Sequence, residues 1–346
     1  MWGMRRRAAV VIGLIGVGLG ALVWGGCEGS NEERPEYVTF TEEVMTTAIT
    51  VVVPEDAGRE AAAAVFEAFR EVDGQMSEWK ADSALSAVNQ AAGKHPVQVP
   101  EDLRRAIRRG IDLGDLTNGA FDVTWAALWG LWDFRAEEPR VPDEDEVRRR
   151  RERVDYRKIT IDEDAGTVFL AEEGMVIGLG GIAKGYALDR AAAALRERGV
   201  GSFLISAGGQ MMLGGTRGDR PWRVGIRDPR QGPEDYFAFL ELTDTSISTS
   251  GDYERYFVID GVRYHHVLDP RTGKPARGLR SATVICADAT LADALSTGMM
   301  ILGREDALRL GEALDGVEAV LVDDDAGVHV TSGLAGKLQE RHPPTR

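Results

Sequence analysis

The chain of 346 residues is poor in cysteine, in histidine and in concentrated positive charge. Two cysteines are too few for a disulfide framework, and no spacing among the five histidines matches a zinc site. The 41 Lys and Arg residues are outnumbered by 56 Asp and Glu residues, which gives a net charge of −15 spread along the chain. A nucleic-acid surface needs a concentrated positive field. We therefore expect no nucleic-acid partner.

The chain also lacks long hydrophobic runs, apart from one near its N-terminus. Residues 8–23 are apolar, yet this run is too short and too rich in glycine for a membrane-spanning helix. It follows Arg5, Arg6 and Arg7 and ends in Gly-Gly-Cys27, a pattern typical of a bacterial export signal with a lipoprotein cleavage site. The sequence predicts an export signal over residues 1–26. Residues 27–36 are then a lipidated Cys27 and a polar tether, so the protein is expected to be exported as a membrane-anchored lipoprotein facing the periplasm. Simple secretion or an uncleaved anchor is the alternative.

The remaining sequence predicts a folded body of the α+β class. Hydrophobic residues make up 43% of the chain and charged residues 28%, which argues against disorder. Strand-like and helix-like segments mix without strict βαβ periodicity. Strands are predicted over 38–53, 159–161, 168–170, 203–206 and 282–287, and helices over 60–72, 100–116, 183–198, 291–302 and 305–314.

A glycine-rich turn is the first candidate site. The segment Gly178-Leu-Gly-Gly181-Ile-Ala-Lys184-Gly185 follows a strand and opens a helix. Backbone N–H groups at a helix start can face a phosphate, and Lys184 would add positive charge. The glycine spacing fits neither a Walker loop nor a dinucleotide fingerprint. A phosphate cradle and a purely structural turn both remain open at this stage.

A carboxylate and a hydroxyl share one helix face in the second cluster. Asp293 and Thr297 are four residues apart, so they project side by side, and the other face carries Leu291 and Leu295. Hard oxygen donors suit Mg²⁺, which commonly takes one or two protein carboxylates. An ordinary polar helix face is the alternative.

Two histidines precede a turn in the third segment. A turn from Asp269 to Gly273 puts His266 at a strand end, where an imidazole can take a proton near neutral pH. Neighbouring residues of a strand face opposite sides, so His265 and His266 would not both face one site. His266 is the first candidate for a general base, and Asp252, in Ser-Gly-Asp-Tyr-Glu-Arg, is the second.

Taken together, these segments resemble the ApbE family, the FAD:protein FMN transferases. The resemblance extends from about Met45 to Gly303. Its motifs are Met-Ser-Glu-Trp79, Asp82-Ser-x-Leu-Ser-x-x-Asn89, Gly119-Ala120-Phe121-Asp122-Val-Thr, Gly180-Gly181-Ile-Ala-Lys184-Gly185, Ala207-Gly-Gly209, Ser250-Gly-Asp252-Tyr-Glu-Arg255, His266-Val-Leu268-Asp-Pro270 and Ala292-Asp293-Ala-Leu-Ser-Thr297.

The resemblance implies both an architecture and a site. The architecture is ApbE-like and T-fold-related, with one domain of two intimately packed lobes over residues 37–340. Mg²⁺ is expected on Asp293, Thr297 and the backbone carbonyl of Gly181. FAD, as substrate, is expected to contact residues in most of the motifs: Met45, Trp79, Ala120, Phe121, Asp122, Gly178, Lys184 and Leu268.

Three positions depart from the family pattern. Thr46 follows Met45 where Met-Gly-Thr is more usual, and Gln210 stands where an acid or Asn is usual. Gly178 stands where the family usually has Asp. This last change removes a carboxylate expected near the bound cofactor.

The activity implied is Mg²⁺-dependent transfer of FMN from FAD to a threonine of an acceptor flavoprotein, with release of AMP. The expected acceptors are FMN-binding domains of membrane electron-transfer proteins, which a lipid-anchored enzyme at Cys27 would meet at the membrane surface. Alternatives are an FAD pyrophosphatase and a periplasmic FAD-binding lipoprotein. Without the resemblance, a solute-binding protein with two similar lobes and no metal requirement would also be considered.

Overall fold

The computed structural model describes residues 36–346, so the predicted export signal and Cys27 lie outside the described residues. Residues 36–346 form one compact unit. Its helices are α1 (Gly58–Met76), α2 (Ala84–Gln90), α3 (Glu101–Leu116), α4 (Glu144–Arg151), α5 (Ala183–Glu197), α6 (Ala289–Leu302) and α7 (Arg304–Ala313). Its strands are β1 (Tyr37–Val44), β2 (Thr47–Pro54), β3 (Val97–Gln98), β4 (Ile159–Asp162), β5 (Thr167–Leu170), β6 (Phe203–Ala207), β7 (Gln210–Gly214), β8 (Trp222–Arg227), β9 (Tyr236–Leu242), β10 (Thr245–Gly251), β11 (Tyr256–Ile259), β12 (Val262–His265), β13 (Leu268–Asp269), β14 (Lys274–Pro275), β15 (Leu279–Cys286), β16 (Glu318–Asp323), β17 (Val328–Val330) and β18 (Gln339–Glu340).

An antiparallel eight-stranded sheet forms the centre of the fold. Its strand order is β1-β2-β6-β7-β10-β15-β16-β17. Every residue of β15 is buried, because this central strand is covered on both faces. The mixture of this sheet with helices and smaller sheets confirms the predicted α+β class.

The two faces of the sheet pack into two different cores, as the alternation of side chains along a strand requires. One face packs against α1, α5 and α6, with Val51, Ile205 and Leu321 among its contributors. The opposite face packs against the small sheet β18-β9-β8 through residues such as Ile247 and Val320. The helices that carry the candidate site therefore lie together on one side of the sheet.

The predicted strand over 38–53 is wrong in one respect, because it is a hairpin of two strands. β1 and β2 pair from Tyr37↔Pro54 to Val44↔Thr47, and the turn between them consists of Met45 and Thr46. Both turn residues have left-handed φ angles, 53° and 59°. Such two-residue turns are normally indicated by Asn or Gly. This chain has neither residue at the turn. The strand-like sequence pattern therefore runs through Met45 and Thr46 without a break, and it predicts a single strand.

An Asp260-Gly261 turn joins β11 and β12 in a hairpin. Its inner face adds Phe257 and Tyr264 to a third cluster that contains Trp132 and Phe134. Among residues 36–346, no helix combines the length and the apolar character needed to cross a membrane.

Candidate active site

The site is built where α5 packs against α6. The backbone N–H of Gly185 donates to Oδ2 of Asp293 at 3.0 Å. A Cβ at Gly185 would overlap the carbonyl group of Ala289, so the close approach of the two helices requires glycine at this position. The glycine-rich turn and the Asp293–Thr297 face, predicted separately, are thus brought together.

Asp293 is a buried carboxylate with few partners. Gln210, at the start of β7, donates its side-chain amide to Oδ1 of Asp293 at 2.5 Å. Burial raises the pKa of Asp293, whereas the charge of Lys184, the Gly185 N–H and the Gln210 amide lower it. The carboxylate thus lies 2% exposed beside one lysine, in surroundings that favour a positively charged ligand.

A group of hydroxyls surrounds Thr297. Its Oγ1 lies 3.2 Å from Oγ of Ser250, which lies 2.8 Å from Oγ of the buried Ser296. Gly181 is adjacent, since a Cβ built there would lie 3.7 Å from Oγ1 of Thr297. Asp293, Thr297 and Gly181, predicted to share a metal ion, are therefore neighbours around one space.

The donors at this space fit Mg²⁺. The buried Oε1 of Gln210 has no hydrogen-bond partner among the described residues, and no backbone hydrogen bond of that part takes the carbonyl of Gly181. With the Asp293 carboxylate and the Thr297 hydroxyl, the available donors are all oxygen, as Mg²⁺ prefers. Across residues 36–346, no three His, Cys, Asp or Glu side chains cluster as a metal site. A metal here would rely on one carboxylate and neutral oxygens.

Lys184 lies at the centre of the charged groups. Its Nζ donates to the carbonyl of Gly180 at 3.2 Å. Its charge lowers the pKa values of Glu78, Asp293 and His266, so all three lie within its electrostatic reach. Sequence reasoning placed Lys184 in the site but assigned no role to Glu78.

Glu78 supplies a carboxylate beside the glycine-rich turn. Its Oε1 would lie 3.4 Å from a Cβ at Gly180. Burial raises the pKa of Glu78, and the backbone N–H groups of Glu78 and Leu179 lower it. A carboxylate is therefore present at this turn although Gly178 has no side chain.

Trp125 explains why position 178 is glycine. Its indole Nε1 donates to the carbonyl of Gly178 at 3.0 Å. A Cβ at Gly178 would lie 2.8 Å from Cβ of Ala126 and 3.2 Å from the indole Nε1. The aspartate usual in the family would not fit here, because the indole occupies the space for its side chain.

Trp79 forms an exposed aromatic surface beside this turn. Its ring is 73% exposed and stacks on Trp129 with centroids 4.6 Å apart. Trp129 in turn contacts Trp125 edge to face at 5.9 Å. A flat ligand ring could stack on such a surface, because large π-systems attract one another in offset geometry.

The Ala120-Phe121-Asp122 segment is buried beneath the site. A Cβ at Gly181 would lie 3.1 Å from the ring of Phe121, which therefore lies directly under the turn. The carboxylate of Asp122 accepts hydrogen bonds from the N–H and hydroxyl of Thr124 and from the N–H of Tyr156. These hydrogen bonds give the Asp122 carboxylate a structural role, because they connect it to neighbouring segments of the protein.

Two predicted FAD contacts lie in other surroundings. Met45 forms the β1–β2 turn and packs, partly buried, against the main core. Leu268 is buried in the third cluster, together with Leu128 and Phe257. In the part of the chain described, neither of these two residues shares a hydrogen-bond partner with Asp293 or Thr297.

The two adjacent histidines differ in their surroundings. Nε2 of His265 hydrogen-bonds the carbonyl of Ala276 at 2.8 Å, which gives His265 a structural role. The buried Nδ1 atoms of both histidines have no hydrogen-bond partner among the described residues. Burial, together with the charges of His265, Arg255 and Lys184, lowers the pKa of His266 from 6.5 to about 4. His266 is therefore neutral at physiological pH, and its pKa lies below the near-neutral range that the sequence predicted.

Asp252 is held in an ion pair. Both its carboxylate oxygens accept from the guanidinium of Arg230, at 2.7 and 2.8 Å. Arg230 belongs to a turn whose Asp228 accepts hydrogen bonds from Thr345 near the C-terminus. Asp252 thus joins the end of β10 to the C-terminal segment.

Sequence reasoning missed four contributors to the site: Glu78, Trp129, Ser250 as a partner of Thr297, and Gln210 as a partner of Asp293. A signal existed for Ser250, because β10 reads Thr-Ser-Ile-Ser-Thr-Ser with hydroxyls on both faces. The others have no local pattern, since only the tertiary contacts bring them to the site.

Comparison with known proteins identifies the class to which this fold and site belong. The model of the ApbE family matches residues 45–321, and the chain belongs to this family. It is an enzyme of the transferase class, as its curated relatives are.

Individual relatives agree with this assignment. The chain is 33% identical over 333 residues to the FAD:protein FMN transferase of Treponema pallidum, with 91% of this chain and 92% of that protein covered. It is 35% identical to the corresponding protein of Vibrio cholerae, with 74% and 78% covered. The crystal structure of the ApbE protein of Thermotoga maritima superposes with a TM-score of 0.80 at 34% identity, covering 88% of this chain and all of that one. The flavin transferase ApbE structure of Vibrio cholerae gives 0.78 at 30% identity, with 88% and 99% covered. The ApbE-like architecture is thereby confirmed.

Proposed function

We propose that this protein transfers FMN from FAD to a threonine of an acceptor protein in a Mg²⁺-dependent reaction that releases AMP. The main observation in support is that Asp293, Thr297 and Lys184 lie together where α5 contacts α6. Membership of a family whose curated relatives are FAD:protein FMN transferases supports the substrate.

The diphosphate of FAD would bind at the glycine-rich turn. Among the described residues, no backbone hydrogen bond uses the N–H groups of Gly180 and Gly181, which are free to donate to phosphate oxygens. Lys184 adds a positive charge at the same turn. Trp79, stacked on Trp129, offers a surface for a flavin ring.

Asp293, Thr297, the Gly181 carbonyl and Oε1 of Gln210 are the oxygens that would hold Mg²⁺. Bound there, Mg²⁺ supplies charge neutralisation at the diphosphate. The hydroxyl group of Ser250 orients Thr297, and Gln210 orients Asp293. These contacts fix the donors before substrate binds, which reduces the reorganisation required during reaction.

Transfer requires a proton acceptor. The threonine oxygen of the acceptor forms a bond to the FMN-side phosphorus, the bond from that phosphorus to the bridging oxygen breaks, and AMP leaves with the electron pair. The threonine proton goes to the imidazole of His266, which is neutral at physiological pH. Asp252 is the second candidate for this role, although its carboxylate is engaged by Arg230.

The test is incubation with FAD, Mg²⁺ and a purified FMN-binding domain of an electron-transfer protein. We expect a fluorescent flavin band on the acceptor in a denaturing gel and AMP in equal amount by chromatography. An acceptor with its threonine changed to alanine is the matched control. AMP without labelled acceptor would establish an FAD pyrophosphatase, and bound but intact FAD would establish a storage protein; either result overturns transfer.

We also propose that the protein is exported and anchored by a lipid at Cys27. The supporting observation is the sequence of the N-terminal segment, with its arginines, apolar run and Gly-Gly-Cys27. An anchored enzyme would act on acceptors at the membrane surface, such as FMN-binding domains of membrane electron-transfer proteins.

A further inference from the structure

The hairpin β11–β12 has a free backbone edge beside His266. In the described part of the chain, β11 and β12 pair only with each other. The ladder continues to His266, whose N–H donates to the carbonyl of Arg255 at 3.0 Å. β11 therefore begins one residue after Arg255, the residue that is bonded to the candidate base.

The pairing register shows which groups of β11 point outward. In an antiparallel pair, hydrogen-bonded and non-hydrogen-bonded residue pairs alternate. The Arg255–His266 pair is hydrogen-bonded, so Tyr256↔His265 and Val258↔Arg263 are non-hydrogen-bonded pairs. The carbonyl of Arg263 indeed points outward, because it accepts from Nη1 of Arg277 at 2.6 Å. On β11, the outward N–H and C=O groups are those of Tyr256 and Val258, and no hydrogen bond within residues 36–346 uses them.

The side chains on this edge are apolar and exposed. Tyr256 is 42% exposed and Val258 is 53% exposed. The guanidinium of Arg263 stacks on the Tyr256 ring at 3.8 Å. Exposed tyrosine with arginine and an aliphatic neighbour is the composition typical of a protein interface.

The charge around the edge selects an acidic partner. Arg255, Arg263 and Arg277 lie at this hairpin, whereas the whole chain carries a net charge of −15. Its acids are Asp252, which pairs with Arg230 and lies 3.8 Å from Arg263, Glu254, which pairs with Arg227, and Asp260 at the turn, so positive charges still outnumber negative ones here. The exposed side chain of Arg255 makes no ion pair with another described residue. A local positive surface on an acidic protein favours encounter with an acidic segment and disfavours a second copy of this chain.

We propose that the free edge of β11 binds an extended, acidic segment of the acceptor protein by strand addition, which delivers its threonine to His266. This proposal rests on the transferase function proposed above. Main-chain hydrogen bonds to Tyr256 and Val258 supply affinity that depends little on sequence, and the arginines supply selection by charge. The strand leads directly to Arg255 and His266, so a paired segment runs into the catalytic space.

The test uses Val258→Pro, which removes one outward N–H and no ladder hydrogen bond. Proline is tolerated on edge strands with the N–H facing solvent. We expect the acceptor KM to rise about tenfold, as loss of a backbone contact and its neighbour implies, while kcat and the KM for FAD stay unchanged. Val258→Thr keeps the N–H and is the matched control. Val258→Asp is a second test variant. Its negative charge would repel an acidic segment, so the acceptor KM should rise in this variant as well.

A binding arm separates this proposal from the proposed function. A labelled FMN-binding domain with its reactive threonine changed to alanine is titrated with wild-type protein and with each variant by fluorescence anisotropy. Equal affinity of wild type, Val258→Pro and Val258→Asp overturns the docking proposal even where transfer is normal. A wild-type dimer that Val258→Pro dissociates in gel filtration would assign the edge to a second copy and also overturns it. Absence of transfer by the wild type overturns the transferase function whatever the binding arm shows.

Discussion

The side-chain amide of Gln210 donates to Oδ1 of Asp293 at 2.5 Å, while its own buried Oε1 accepts no hydrogen bond within the described residues. A buried amide oxygen without a donor costs about 1–3 kcal/mol. The pair therefore stabilises the fold less than a fully bonded pair would. Oε1 of Gln210 and the carboxylate of Asp293 can each accept a cation as a further partner. Asp293 shares one face of α6 with Thr297, so a cation bound at Asp293 would also lie near the Thr297 hydroxyl.

Replacing Asp293 by Asn tests the metal assignment. We expect flavin transfer to fall by at least about 10²-fold, because a charged ligand at the diphosphate site is lost. We expect the stabilisation of wild type by Mg²⁺, measured as the rise in Tm on adding Mg²⁺, to disappear in the variant. Asp288→Asn is the control, since Asp288 caps the same helix α6 and Asn caps equally well. An unchanged Mg²⁺-dependent rise in Tm for Asp293→Asn would remove it as a ligand.

Replacing Gly185 by Ala tests the close contact between α5 and α6. The new Cβ would overlap the carbonyl of Ala289, so the helices must separate. We expect a loss of at least about 2 kcal/mol in the free energy of unfolding, as overpacking typically costs, together with loss of transfer. Gly74→Ala in α1 is the control; no atom lies near its Cβ, so it should gain about 0.5–1 kcal/mol. Urea denaturation gives both values, and a Gly185→Ala protein as stable as wild type would contradict the packing argument.

Replacing Thr46 by Gly tests strain in the β1–β2 turn. A β-branched residue at φ 59° is unfavourable, whereas glycine adopts this angle freely. We expect the variant to be about 1 kcal/mol more stable. Thr50→Gly, in the middle of β2, should instead be destabilising. Two variants that change the urea midpoint in the same direction would show that the turn is unstrained.

The pKa of His266 predicts a specific dependence of stability on pH. The folded pKa is about 4 against a reference value of 6.5, so the unfolded chain binds the proton more readily. The free energy of unfolding therefore carries no penalty from His266 above pH 6.5, and it decreases as the pH falls from 6.5 towards 4, because the unfolded chain takes up the proton first. In His266→Gln, the loss of unfolding free energy between pH 7.5 and 5 should be smaller than in wild type by about 1–2 kcal/mol. Urea titrations at the two pH values measure it, with the exposed His95→Gln as control. Equal losses in wild type and His266→Gln would show that His266 is not buried as described.

Replacing Cys27 by Ser tests the lipid anchor. We expect the variant to leave the membrane fraction for the soluble periplasmic fraction, because the tether that follows is polar. Fractionation and immunoblotting measure the distribution, and labelling with a radioactive fatty acid should be confined to the wild type. Membrane association that persists in Cys27→Ser would indicate an uncleaved anchor.

Local patterns in the sequence were sufficient for most of the helices. The apolar stripes predict α1 and α6, which the structure confirms. The hairpin turn at Met45 was missed, because its residue types carry no turn signal and the paired strands hold their φ angles positive. Spacing alone also identified Asp293 and Thr297 as neighbours, since residues four apart meet on any helix.

The sequence by itself determined the class of fold, the family motifs and the local pairs of residues, because helix and strand periods fix which side chains share a face. Only the tertiary structure decided what these pairs meet. Gly185 reaches Asp293 across 108 residues of sequence, and Gln210 reaches it across 83. It also decided that Trp125 occupies the space beside Gly178 while Glu78 places a carboxylate at the same turn. Such contacts depend on the packing of distant segments, and no local period encodes them.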